Sequence, residues 1–178
     1  MKHTRRSIPL VFSLAIALIL FLGSFQPVQA SDITVTSSSD VLDAAGSCSA
    51  VTITSLPGPD GVTSLREAVC VANQTRGSDI ITFDAATDGI PIVLTGPAGE
   101  DANDTGDLDI LYAGDLTILG SGAANTIIDG GGIDRVFHIC PGGVCSNTVT
   151  ITGVTIRNGS ADFGGGILNQ GGTLNLQD

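Results

Sequence analysis

From Ile80 onward the chain consists of short apolar segments that echo one another, and this repetition restricts the fold more than any other feature. Residues 80–83, 92–94, 116–119, 126–128, 135–139, 149–151, 154–156, 166–169 and 173–176 each read as a strand of three to five residues that gives way to Gly, Asp or Asn. Asp115-Leu116-Thr117-Ile118-Leu119-Gly120, Thr148-Val149-Thr150-Ile151-Thr152-Gly153 and Thr173-Leu174-Asn175-Leu176-Gln177-Asp178 begin 33 and then 25 residues apart. Ile127-Ile128-Asp129-Gly130 parallels Thr155-Ile156-Arg157-Asn158-Gly159 in the same way. Repeats of this length specify a solenoid or a propeller. Propeller blades need longer antiparallel strands at about 40 to 45 residues per blade, so the shorter period and glycine corners favour a parallel β-helix. Ile, Val and Leu would stack inward, and Thr, Asn and Arg outward. The usual hand of parallel crossovers predicts a right-handed form. The expected fold class is therefore all-β, a right-handed parallel β-helix with an N-terminal cap that contains one short α-helix.

The cap is expected because a β-helix exposes core side chains and unpaired backbone at its ends. Ser64-Leu65-Arg66-Glu67 has a hydroxyl residue followed three positions later by Glu, a capping box, and Leu65, Ala68, Val69 and Ala72 follow at helical spacing. A helix over 65–73 follows from that pattern. At about nine residues it is too short to stand alone, so its apolar stripe must pack on the core. Before it, residues 33–36 and 51–54 read as two short strands in a loop-rich stretch. The expected division is a cap over 31–112 and β-helix coils over 113–178. The final Leu174-Asn175-Leu176-Gln177-Asp178 resembles mid-coil strand, so a fragment of a longer repeat protein is expected.

The first 30 residues read as a cleavable export signal. Lys2, Arg5 and Arg6 precede an apolar run from Ile8 to Leu22, and Val28-Gln29-Ala30 supplies a small-residue cleavage site before Ser31. That run is short of the roughly 18 to 20 residues that span a bilayer, so no membrane span is expected after cleavage. The pair Arg5-Arg6 could signal twin-arginine export, but the very apolar run fits the general route better.

All 18 acidic residues lie beyond the signal, where Arg66, Arg76, Arg135 and Arg157 are the basic residues and lysine is absent. Such a surface repels polyanions, which excludes nucleic acid as a partner. The four cysteines of an exported chain most economically form two disulfides, and local spacing favours Cys48 with Cys70 and Cys140 with Cys145 over the two other connectivities. Cys140-Pro141-Gly142-Gly143-Val144-Cys145 places turn residues between its cysteines. A zinc site at these cysteines is the weaker reading, because His138 is the only histidine near them.

Thr63-Ser64-Leu65-Arg66-Glu67-Ala68-Val69, with Ala72-Asn73 and Asp79-Ile80-Ile81-Thr82-Phe83, resembles the CSLREA domain. Gly106-Asp107-Leu108-Asp109-Ile110, the stretch from Ile128 to Phe137, and Gly164-Gly165-Gly166-Ile167 extend the resemblance over nearly the whole mature chain. The last element is also similar to the repeats of polymorphic outer-membrane proteins. The resemblance implies export from a bacterium, a β-helix fold and attachment to the cell surface or envelope, with carbohydrate or surface components as partners. It implies no catalytic residue. The cysteine that names the motif is Thr63 here, and Cys70 lies two helical turns later, which implies that the bridge from Cys48 has moved.

The densest polar segment is 100–109. Asp101, Asn103, Thr105 and Asp107 alternate around a glycine as oxygen ligands do in calcium loops, and Asp109 continues the series. These five residues are the candidate metal ligands, with calcium as the candidate ion. The bidentate glutamate of a complete loop is missing, since Tyr112 stands twelfth from Asp101, and a solvated acidic turn is the competing reading. Asp129 and Asp134 flank a glycine run and read as turn residues. No lysine follows that run, so it is not a phosphate loop. His138 alternates with Phe137 and Ile139 and reads as an outward strand residue. No catalytic residue or required cofactor is assigned. A non-catalytic surface or secreted structural or adhesive module is the expected function. The alternative is the N-terminal part of a polysaccharide lyase or hydrolase whose active site lies in further coils.

Overall fold

A computed structural model of the chain describes residues 30–111 and 114–178. The export segment, but for Ala30, lies outside the described residues. The described chain is mostly β, with parallel strands and one α-helix. β1 (Asp32–Val35), β2 (Asp79–Phe83), β5 (Leu116–Leu119), β8 (Thr148–Thr152) and β11 (Thr173–Gln177) form a five-stranded sheet in that order. β3 (Ile92–Val93), β6 (Thr126–Asp129) and β9 (Val154–Arg157) form a second sheet, and β4 (Leu108–Ile110), β7 (Phe137–Ile139) and β10 (Ile167–Asn169) a third. From β2 onward the chain visits the three sheets in rotation.

The segments that echo one another in sequence are the ones that pair. Leu116 lies beside Val149 and Val149 beside Leu174, the register of the 33- and 25-residue repeats. Ile33, Ile81, Ile118 and Ile151 occupy successive rungs of the large sheet. All four are buried, and Ile92 and Ile128 form a matching rung pair in the second sheet. Each such side chain removed from water contributes about 1.5 to 3 kcal/mol before conformational entropy is counted. Threonines fill the alternating outward positions, as with Thr117 beside Thr150.

The helix α1 (Leu65–Gln74) begins where the capping box placed it: Ser64 Oγ accepts from Glu67 N–H, and Glu67 Oε2 accepts from Ser64 N–H at 3.0 Å. It packs on β4, β1 and β2. Two of its polar side chains complete the backbone bonding of the β4 edge. Asn73 Nδ2 donates to Asp109 O at 2.8 Å and Asn73 Oδ1 accepts from Leu111 N–H at 2.8 Å. Arg66, 1% exposed, donates to Asp107 O at 3.0 Å and Gly106 O at 2.7 Å, and its charge is met by Asp40. Cys48–Cys70 ties the helix to the preceding loop, and Cys140–Cys145 closes the loop after β7.

Two expectations are corrected. Residues 51–54 form no strand. Instead Ile53–Ser55 is a 3₁₀ turn, because Ser55 Oγ bonds both the N–H and the carbonyl of Thr52 and offers the backbone a local alternative to a ladder. Conversely, Leu108–Ile110 is a strand that the acidic composition concealed. β2 lies beside β5, and β4 beside β7.

Candidate metal centre

Parallel pairing sets Asp109 of β4 directly beside His138 of β7. Their neighbours Leu108, Ile110, Phe137 and Ile139 all enter the apolar core, so the alternation of a strand sends Asp109 and His138 to the opposite face. That face is covered by the loop between β3 and β4. Consequently Asp109 is fully buried and His138 is 4% exposed. The reading of His138 as an outward residue gives its direction but misses this cover.

The loop is fixed from several sides. Asn103, held at φ 65°, donates its backbone N–H to Asp109 Oδ2 at 3.0 Å and receives Asp109 N–H on Oδ1 at 3.2 Å. Its amide nitrogen donates to Arg66 O and lies against the Cys48–Cys70 bridge. Asp134 Oδ2 accepts from Gly99 N–H, and Glu100 accepts from the N–H groups of Ala102 and Thr105. Gly106 turns at φ 64°, and a Cβ there would meet Pro97 O at 2.9 Å.

These restraints bring Asp101 over His138. Asp101 Oδ1 lies 3.1 Å and Asp109 Oδ1 3.3 Å from His138 Nδ1. The three ligand atoms all lie within 4.8 Å of one another. Asp109 Oδ1 is buried without a hydrogen-bond partner. Arg135 NH1 stands 3.1 Å from the same nitrogen and 3.2 Å from Asp107 Oδ2, an ionic contact without hydrogen-bond geometry, since Asp107 Oδ2 too has no hydrogen-bond partner. Burial, reinforced by Asp107, Glu100 and Asp101 and opposed by the Asn103 N–H, pushes the Asp109 carboxyl up to about 8. Burial and then Asp134 push Asp107 up to about 6, against the opposing charges of Arg135 and His138.

Of the five residues that sequence spacing grouped as ligands, Asp101 and Asp109 come together here. Asn103 spends its oxygen on the Asp109 N–H, Thr105 Oγ1 donates to Pro97 O, and Asp107 faces Arg135. The third member of the cluster, His138, was not grouped with them, because it lies 29 residues after Asp109 and meets it only through strand register. The corresponding signal in the sequence is the match of Leu108-Asp109-Ile110 to Phe137-His138-Ile139.

Asp129 confirms the turn reading in its bonding: Oδ1 accepts from Gly131 N–H, and Oδ2 accepts from Arg157 and Asn158. Two surface hollows, one lined by Ile151, Val154 and Ile156 and the other by Asp129, Gly131 and Ser160, do not reach His138. Among the described residues no helix is long and apolar enough to cross a membrane. No protein-family model, curated protein or solved structure matches the chain.

Proposed function

We propose that the chain is the head of an exported right-handed parallel β-helix of the CSLREA type, and that it acts as a non-catalytic structural or adhesive module of the bacterial surface. The observation that carries this reading is the rotation of the chain through three parallel sheets, with Ile33, Ile81, Ile118 and Ile151 stacked rung on rung. In this reading each circuit is one coil, and α1 covers the first coils. The coils add length without enclosing a substrate, which suits a stalk or an adhesive face. Two disulfides and a lysine-free acidic surface support a place outside the reducing cytosol.

Expression of the full chain in a bacterium, followed by fractionation and mass spectrometry, tests this. The expected product is recovered outside the cytosol, begins at Ser31, and resists alkylation at all four cysteines until reduced. Recovery in the cytosol alone, with its N-terminus intact and its thiols free, would overturn export. Depolymerisation of a bacterial or plant polysaccharide by the purified product would overturn the non-catalytic role.

A further inference from the structure

We propose that Asp101 Oδ1, Asp109 Oδ1 and His138 Nδ1 bind a divalent first-row transition-metal ion of the zinc class, which clasps the acidic loop before β4 onto the sheet. The orientation of the imidazole is the first support. Gln170 accepts the Gly142 N–H at 3.2 Å, so the Gln170 atom facing that loop is oxygen. The same oxygen lies 3.1 Å from His138 Nε2, which must therefore carry hydrogen. In the neutral ring the lone pair then sits on Nδ1 and points into the cluster. Arg135 NH1 at 3.1 Å can only donate, which requires the same lone pair.

The lone pair of Nδ1 thus meets two carboxylate oxygens, at 3.1 Å and 3.3 Å. One of these is the buried Asp109 Oδ1, which has no hydrogen-bond partner. Acceptors so placed need a proton or a metal ion between them, and a metal ion can engage all three at once. Ligands about 2.0 to 2.2 Å from a zinc-class ion stand roughly 2.8 to 3.6 Å apart at ordinary coordination angles, which brackets both separations. Calcium, at about 2.3 to 2.6 Å in a more crowded shell, would accept the same separations, but it prefers an all-oxygen set, whereas imidazole suits zinc, copper, iron and nickel. The Nε2–H bond to Gln170 is the outer support that metal-binding histidines commonly have. Charge also permits it: Glu100, Asp101, Asp107, Asp109 and Asp134 surround the position, and Arg135 is the cation among them. On metal binding its guanidinium must withdraw toward Asp107, which it already contacts at 3.2 Å.

The test is a zinc titration of the purified full chain, stripped with chelator and then freed of it, in competition with a chromophoric chelator. A single equivalent should bind, and cobalt in its place should give visible absorption bands from a nitrogen and oxygen ligand set. His138→Ala and Asp109→Asn should each weaken zinc binding by at least about 100-fold, and Gln170→Ala by about 10-fold, the range seen for outer partners. Asp101 is 66% exposed in its side chain, so Asp101→Asn should keep the fold intact and still lose about 10-fold or more. That variant decides the matter if the buried ones fail to fold. Asp162→Asn, on a different loop, should bind as the parent does. The proposal is overturned by absence of saturable zinc binding at millimolar zinc, by unchanged affinity in Asp101→Asn, or by calcium binding as tightly as zinc. Failure here leaves the export and surface reading standing, because that reading uses none of these residues.

Discussion

Two acidic positions in this molecule stand at equivalent places and have opposite fates. Asp109 lies beside His138 on neighbouring strands of one sheet, and Asp129 lies beside Arg157 on neighbouring strands of another. In both cases parallel register sets a carboxylate next to a basic residue of the next repeat. Asp129 then gains three donors, from Gly131, Arg157 and Asn158, and faces a surface hollow. Burial alone would raise its carboxyl, but those hydrogen bonds outweigh it and hold the group below its ordinary range. Asp109 is roofed by a loop that brings a single donor, the Asn103 N–H, together with further carboxylates, and one of its oxygens is left unmatched. A satisfied corner explains itself as structure. A buried carboxyl with an unmatched oxygen beside a lone pair calls for a proton or a metal ion.

The largest way to break the comparison is to break the frame both positions share. Ile118 is fully buried between the rungs of Ile81 and Ile151. Ile118→Ala should cost about 2 to 5 kcal/mol, as large-to-small changes in a packed core do. Urea unfolding followed by circular dichroism would read the loss, and a change below about 0.5 kcal/mol would show that the ladder is not packed as described.

Much of this frame was legible in the sequence, and the reasons differ by element. The rung register was legible because each repeat must keep its apolar residues on the inner face, so similar hexapeptides are also paired ones. The helix was legible because Ser64 and Glu67 announce its first turn. β4 was not, because Asp107 and Asp109 flank Leu108, and charges at that density read as a solvated turn unless a covering loop is known. For the candidate site, spacing could find Asp101 and Asp109, which share a loop and its adjoining strand. It could not find His138, because nothing local tells a strand residue which later rung will lie beside it.

A second, intermediate effect lies in the pH dependence of the metal-free chain. Asp109 has a folded pKa of about 8 against an ordinary 3.8. Between those values the folded state holds a proton that the unfolded chain has released, so stability is greatest at the acid end of the window and falls as pH rises through it. Asp107, at about 6, acts with the same sign over a shorter window. Asp129 acts oppositely: its folded pKa is lowered, so its contribution is present above the ordinary carboxylate value and is lost as pH falls through the folded one. Urea midpoints measured across pH should therefore decline from about pH 4 to about pH 8 in the parent, decline less over that window in Asp109→Asn, and show a flatter limb below about pH 4 in Asp129→Asn. Identical profiles in all three chains would remove the distinction between the two positions.

The smallest effect concerns the partner at the satisfied corner. The Arg157 side chain is 45% exposed, so its 2.8 Å contact with Asp129 is screened by solvent and competes with water. Arg157→Ala should cost only about 0.2 to 1 kcal/mol, since Gly131 and Asn158 still donate to the carboxylate. The change should also raise the Asp129 pKa without shifting the decline toward pH 8 assigned to Asp109. NMR titration of the Asp129 carboxyl reads the first part, and urea unfolding of parent and variant across pH reads the loss and the decline. A loss above about 2 kcal/mol would mean that Arg157 carries the corner alone, and that the contrast between the two positions rests on one ion pair instead of a shared set of donors.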